Sequence, residues 1–132
     1  MADMHIEEFY HDIAHALVLL YSAFPRQINV YVDDFAGADT PDEYGLHSSR
    51  YLSGFSALLW LKQQGHITFD STVRQTGIEQ ATLTQASFIA LLSEYSAAST
   101  PLIQALQRAL KQQATTHVNA LMLQFLQATN TK

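Results

Sequence analysis

The chain has 132 residues, of which 48% are hydrophobic and 14% are charged, and its formal net charge is −5. This length suits one domain with one core, and this composition excludes a disordered chain. The chain contains no cysteine, which excludes disulfides, thiolate catalysis and cysteine-based zinc sites.

Charge is distributed unevenly along the chain. Residues 1–45 hold nine acidic residues against Arg26 alone, whereas the remaining residues hold six basic residues against three acidic ones. This division can steer an acidic face toward a basic partner, or it can let two parts of one fold or of a dimer attract each other. The chain starts with acidic residues where a signal peptide needs basic ones, and no apolar run approaches the roughly 20 residues of a membrane span. We therefore expect a cytoplasmic protein without a membrane partner.

The first predicted element is a helix over residues 5–23. Apolar residues recur at helical spacing from Ile6 to Leu20, and the acidic residues lie away from that stripe. Pro25 ends the helix because proline cannot continue the hydrogen-bonding pattern.

Residues 27–35 give an ambiguous signal. Ile28, Val30 and Val32 alternate as in a short strand, whereas Asn29 could cap or end a helical turn. We predict a strand here. Residues 36–46 follow and concentrate Gly, Asp, Pro and Thr, which predicts a loop.

The stretch from Arg50 to Leu92 predicts a helix, a strand, a turn, a strand and a second helix. Ser48 or Ser49 caps the first helix, whose apolar spacing stops at Gly65. Residues 67–70 then alternate at the period of a strand, as do residues 78–83, and Thr84 stands where a new helix would be capped.

The last predicted element is one long helix over residues 101–128, with Pro101 in its first turn. A helix of about 27 residues is some 40 Å long at 1.5 Å per residue and outreaches a small core. Its apolar stripe therefore needs a second surface, which we expect to be another copy of the chain. The stripe consists of Ile103, Leu106, Leu110, Ala114, Val118, Leu121 and Phe125.

The run Leu58-Leu59-Trp60-Leu61, followed by Gly65-His66-Ile67 and later by Leu83-Thr84, resembles the wing region of bacterial winged-helix proteins. The resemblance covers residues 46–95. It implies an α+β, mainly α fold, with a winged-helix-like domain over residues 1–95 that carries a two-stranded β-hairpin wing. MarR-like and PadR-like regulators dimerise through a C-terminal helix, which implies a C-terminal oligomerisation helix within residues 96–132, in one compact domain overall.

Regulators of this kind bind DNA, but the chain offers few cations for phosphate contacts. We therefore predict a non-enzymatic module for protein–protein interaction and self-assembly, as a homodimer. The alternative is a dimeric DNA-binding transcriptional regulator. Its DNA-binding residues would be Ser49, Arg50, Ser53, Lys62 and Arg74.

Two segments are candidates for the protein interface. One is the predicted loop of residues 36–46, which we call the acidic loop; an aromatic residue beside its carboxylates could anchor a partner. The other is the apolar end of the last helix. The candidate interface residues are Asp39, Asp42, Glu43, Tyr44, Val118, Leu121, Met122 and Phe125.

Glu7, His11 and His15 are weak candidates for metal binding. They are spaced by four residues, so a helix would place them on one side. The HExxH pattern of metallohydrolases is missing, and a solvated polar face is the plainer interpretation. The sequence also lacks a phosphate loop, a dinucleotide fingerprint and a nucleophile turn, so we predict neither a cofactor nor an enzyme.

Overall fold

The computed structural model describes residues 4–94 and 100–130, which form a mainly helical α+β fold with a small antiparallel sheet. The helices are α1 (Met4–Ala23), α2 (Asp33–Ala36), α3 (Ser49–Gln63), α4 (Gln85–Leu92), α5 (Leu102–Lys111) and α6 (Thr115–Thr129). The strands are β1 (Ile28–Tyr31), β2 (Ile67–Thr68), β3 (Ser71–Val73) and β4 (Gly77–Leu83).

Strand β4 is the centre of the sheet. Its residue Ile78 pairs with Val30 of β1 on one edge and with Thr72 of β3 on the other, both antiparallel. Strand β2 also pairs with β4, with Ile67 opposite Leu83. The second predicted hairpin strand is confirmed as β4, but only residues 67–68 of the first are a strand. The prediction of a two-stranded hairpin is wrong, because β3 and β1 also pair with β4.

The predicted helix starts in the middle of the chain are confirmed by their caps. Ser48 precedes α3 and its hydroxyl accepts a hydrogen bond from the Tyr51 amide at 3.2 Å. Thr84 precedes α4 and its hydroxyl accepts from the Ser87 amide at 3.4 Å. Such caps satisfy amides that the first turn of a helix leaves unpaired.

Residues 27–35 combine both of the structures that their pattern allowed. Residues 28–31 form β1, as predicted, but α2 begins at Asp33, so the prediction of a strand up to Phe35 is wrong. Phe35 is buried, and it lies beside Gly54 of α3. A Cβ at Gly54 would lie only 2.8 Å from Val32 Cγ1, which is too close for van der Waals contact. Glycine at this position therefore allows α3 to pack closely against Val32 and Phe35.

The prediction of one long C-terminal helix is wrong. Helix α5 ends at Lys111, and Gln113 adopts a left-handed conformation with φ of 55°. The Ala114 amide then donates to the Ala109 carbonyl at 2.9 Å and the Gln113 amide to the Leu110 carbonyl at 3.1 Å. These two bonds are those of a Schellman motif, which ends a helix and reverses the chain. Helices α5 and α6 therefore pack against each other and against α1.

This reversal buries the apolar end of the last helix inside one chain. Val118, Leu121, Met122 and Phe125 are at most 4% exposed, and α6 packs against α1, α4 and α5. The prediction that these four residues form an interface between copies is corrected, because the same chain already covers them. The homodimer remains a prediction, but these four residues cannot form its interface.

The predicted boundary between residues 95 and 96 lies outside the described residues. On either side of it, α5 and α6 pack against α1, and α4 packs against both, so they belong to the same packed body. Within residues 4–94 and 100–130, every helix is too short or too polar to cross a membrane.

Candidate functional site

A cleft of about 550 Å³ lies between α1 and α3, and we call it the α1–α3 cleft. Residues of the first half of α1 and residues along most of α3 line it. Its lining consists of five apolar residues, three serines, His5 and the buried Asp12; the apolar residues and serines are Ile6, Phe9, Leu52, Ala57, Trp60, Ser49, Ser53 and Ser56. Apolar side chains and uncharged hydroxyls dominate this lining.

Trp60 and Phe9 form the aromatic part of the cleft. Their rings meet edge to face at a centroid distance of 5.0 Å, a favourable arrangement for two aromatic rings. Both rings are only partly buried, and Ile6 beside them is 40% exposed. Apolar surface of this kind favours contact with apolar groups of another molecule.

Arg50, a predicted DNA-binding residue, is held within the chain. Its guanidinium donates to both oxygens of the buried Asp12 at 2.7 and 2.8 Å, and its Nε lies 3.3 Å from Glu8. The hydrogen bond to Asp12 raises the pKa of Arg50 above its usual range. A guanidinium in such a bidentate pair has little remaining capacity for a phosphate.

The other two predicted DNA-binding cations lie apart from the cleft. Lys62 donates from Nζ to the Phe69 carbonyl at 3.2 Å and lies 4.3 Å from the centre of the Phe69 ring. Arg74 is exposed in the turn between β3 and β4. Ser49 and Ser53 line the cleft, so the structure brings together the predicted hydroxyls but not the predicted cations.

Asp39 and Asp42 of the acidic loop both accept hydrogen bonds from the chain itself. Asp39 accepts hydrogen bonds from the Ser48 amide at 3.0 Å and from the His47 ring at 2.9 Å, and both lower its pKa. Asp42 accepts from the amides of Tyr44 and Leu46 at 2.8 and 2.9 Å. Both aspartates therefore stabilise the conformation of the loop, and their carboxylates are already engaged in hydrogen bonds within the chain.

The other predicted interface residues of this loop face solvent. Glu43 is exposed and Tyr44 is 79% exposed at the tip of the turn. Leu46, which is not among the predicted residues, is 56% exposed beside them. An exposed aromatic ring held by a hydrogen-bonded turn is a plausible anchor for a protein surface.

A second concave surface of about 510 Å³ lies next to this loop, and Asp33, Asp34 and Asp39 line it. The Tyr51 hydroxyl in its wall donates to Asp33. Burial, followed by the interaction with Asp33, raises the pKa of Tyr51 above its usual range, so this hydroxyl stays protonated. The carboxylates already accept hydrogen bonds from the chain.

The predicted metal candidates do not come together as a set of three. The rings of His11 and His15 lie 4.6 Å apart between centroids. Within the described parts of the chain, however, no three histidine, aspartate or glutamate side chains converge on one point. Burial, followed by the neighbouring His11, lowers the pKa of His15, and Asp12 partly opposes this shift.

Sequence reasoning missed Asp12, which decides how Arg50 is used. Asp12 lies in the predicted first helix, 38 residues from its partner, and no local pattern marks the pairing. A carboxylate next to the apolar Ile13 on an amphipathic helix is a weak signal that it needs a cation.

No family model, curated protein or solved structure matches this chain at a significant level.

Proposed function

We propose that this chain is a winged-helix-like, non-enzymatic binding module that contacts a partner protein through the α1–α3 cleft. The order of elements supports the winged-helix part of this proposal. A first helix and β1 precede two further helices, α3 leads directly into the antiparallel hairpin, and β1 pairs with the hairpin's last strand.

The chemical character of the cleft supports a protein as the partner. In DNA-binding winged-helix proteins the helix equivalent to α3 is expected to present cations to phosphates. Here Arg50 is paired with Asp12, Lys62 lies on Phe69, and the cleft presents Phe9 and Trp60. This apolar lining is the observation that carries the proposal.

The ligand we expect in the cleft is an apolar segment of the partner, flanked by groups that hydrogen-bond to serine hydroxyls. Ser53 and Ser56 are exposed and could make these bonds without bringing charge. Tyr44 and Leu46 in the acidic loop form a second contact in this proposal. Self-association as a homodimer is part of the same proposal.

A dimeric DNA-binding regulator is the second candidate. One observation favours it: Ser49, Ser53 and Ser56 form a row of hydroxyls on one side of α3, and Arg74 is exposed in the hairpin turn. Hydroxyls can contact phosphates and bases, but one free cation per hairpin provides little electrostatic affinity.

Photocrosslinking distinguishes the two candidates. The photocrosslinking amino acid p-benzoylphenylalanine would replace Ser53 in the cleft, and crosslinking would be carried out in living cells that naturally contain the protein. The control carries the same amino acid at Gln107 on the exposed side of α5. We expect discrete protein adducts from position 53 and none from position 107. Ser56→Arg, which adds a long charged side chain to the cleft, should abolish the adducts.

A DNA titration completes this test. Fluorescence anisotropy with random duplex DNA, at low and moderate salt, should give no saturable binding. Salt-sensitive binding that Arg74→Ala weakens, together with no protein adduct at position 53, would overturn the proposal in favour of the regulator.

A further inference from the structure

A separate cavity of about 400 Å³ lies between α1 and the junction of α5 with α6. It is distinct from the α1–α3 cleft because none of its lining residues lines that cleft. The residues that matter here are His11, His15, Gln113, Thr115, Val118 and Asn119. Two imidazole rings of α1 therefore face the same cavity as an amide side chain of α6.

The spacing of the two rings suits a shared metal ion. His11 and His15 are one helical turn apart, and their ring centroids are separated by 4.6 Å at an interplanar angle of 56°. A zinc ion about 2.0–2.1 Å from one nitrogen of each ring would lie about 3.2 Å from each centroid. For N–Zn–N angles of about 90–110°, the centroids would be about 4.5–5.2 Å apart, which includes the observed distance.

His11 is already oriented as metal-bound histidines usually are. Its Nδ1 lies 3.1 Å from Asp12 Oδ1, and a carboxylate oxygen can only accept, so Nδ1 carries the proton. The lone pair of the His11 ring is then on Nε2. Asp12 is itself fixed by two hydrogen bonds from Arg50. A carboxylate that holds the second nitrogen of a histidine is a frequent partner of metal ligands.

Asn119 supplies the third observation. Its Oδ1 is buried and has no hydrogen-bond partner, although buried carbonyl oxygens are almost always paired. Asn119 lines the same cavity as the two histidines. A bound cation would satisfy this oxygen, whereas an anion would leave it unpaired.

We propose that His11, His15 and Asn119 bind one divalent first-row transition-metal ion, Zn²⁺ in the first instance, and thereby join α1 to α6. The sequence offered Glu7, His11 and His15 as candidate metal ligands. Glu7 does not line this cavity, and the side-chain oxygen Oδ1 of Asn119 takes its place. Water or a small exogenous ligand would complete the coordination on the open side.

Isothermal titration with ZnCl₂ tests the site on the full chain, freed of metal by chelation and without a histidine tag. We expect one Zn²⁺ per chain. His15→Gln and Asn119→Ala should each weaken binding by at least about tenfold, since even the loss of an outer partner of a metal ligand costs about that much. Asn119→Asp should tighten binding, because it replaces the amide oxygen with a charged carboxylate.

His5→Gln is the matched control for metal binding. His5 is an exposed histidine on the same helix and does not line this cavity. Its replacement should leave the Zn²⁺ affinity unchanged.

The Tm of thermal unfolding is a second readout, because a metal ion that joins α1 to α6 stabilises the folded chain. Zn²⁺ should raise the Tm of the wild-type chain, because a ligand that binds only the folded state stabilises it. At the same Zn²⁺ concentration the increase should be clearly smaller in Asn119→Ala, because this variant binds Zn²⁺ more weakly. Circular dichroism establishes that each variant folds, and if His15→Gln does not, the Asn119→Ala and Asn119→Asp pair decides the question.

Two results would overturn the proposal. One is the absence of Zn²⁺ binding to the wild-type chain. The other is equal affinity in wild type and Asn119→Ala, because binding would then involve two histidines on the helix surface and not a site between α1 and α6.

Discussion

Asp12 is a carboxylate in α1 whose side chain is 1% exposed, and both of its oxygens accept hydrogen bonds from Arg50 of α3. A buried charge of this kind is tolerated only when a partner of opposite charge compensates for the lost hydration. The pair therefore joins α1 to α3. It also engages the guanidinium of Arg50, which is then not free to bind a ligand at the α1–α3 cleft. A loss of DNA binding in an Arg50 variant would reflect lost folding as readily as a lost phosphate contact.

Arg50→Ala should lower the free energy of unfolding by about 3 kcal/mol, because it leaves the Asp12 charge buried and unpaired. Urea denaturation, followed by the fluorescence of Trp60, the only tryptophan, measures this change. Arg74→Ala is the control, since that arginine is exposed and its loss should change stability by less than about 0.5 kcal/mol. Equal effects of the two substitutions would contradict the structural role of Arg50.

His66 makes stability depend on pH. Its side chain is buried between Trp60 and Phe125, and burial lowers its pKa below the ordinary value of 6.5. As the pH falls below 6.5, the unfolded chain binds a proton that the folded chain does not, so stability decreases. His66→Leu should flatten the rise of stability with pH in the range just below pH 6.5. Urea midpoints across this range test the prediction, and an unchanged slope would contradict it.

The junction of α5 and α6 is the element that changes the architecture most. A single helix over residues 101–128 would project from the body, whereas the Schellman motif at Gln113 folds α6 back onto α1. Glycine usually occupies the left-handed position of this motif, because other residues are strained there. Because glutamine and not glycine occupies this position, the sequence carries no local signal for the turn.

Gln113→Gly should raise the free energy of unfolding by up to about 1 kcal/mol, because it relieves the left-handed strain. Gln112→Gly is the matched control. Gln112 has a right-handed helical conformation, so glycine there should lower stability by about 0.5 kcal/mol. Thermal unfolding of the two variants measures both effects. A decrease in Tm for both would mean that the strain at Gln113 is compensated elsewhere.

Other elements could be predicted because their signals are local. Ser48 and Thr84 are residue types that cap helices, and each lies directly before a run of apolar residues at helical spacing. The alternation in residues 78–83 predicts β4 for the same reason. By contrast, β3 has two exposed residues among its three and exists because it pairs with β4.

The whole chain buries its apolar C-terminal residues without a second copy. Val118, Leu121, Met122 and Phe125 belong to the same core as Ile13 and Leu17 of α1. Low charge and a long apolar stripe suggested a dimer, but the reversal at Gln113 removes the need for one at this surface. If a homodimer forms, other exposed apolar residues remain available to it, and they include Ile89 and Leu92 of α4.

Leu121→Glu tests this arrangement. It should unfold the chain, or destabilise it by at least about 4 kcal/mol, because a carboxylate replaces a fully buried side chain. Leu123→Glu on the same helix is the control, since Leu123 is 48% exposed and its replacement should be nearly neutral. Circular dichroism with light scattering distinguishes unfolding from dissociation. A folded monomer of Leu121→Glu, obtained from a wild-type dimer, would restore the interface predicted from the sequence.

The sequence by itself determined the first helix, the capped helices in the middle of the chain, the strands β2 and β4 and the loop before α3, because hydrophobic period and capping residues act over a few positions. It also placed two histidines on one side of α1. Only the tertiary structure decided that Arg50 pairs with Asp12, that Asn119 lines the same cavity as His11 and His15, and that the C-terminal helix is folded back. Each of these depends on contacts between residues distant in sequence or on a backbone conformation that glutamine seldom adopts, so no local pattern could reveal them.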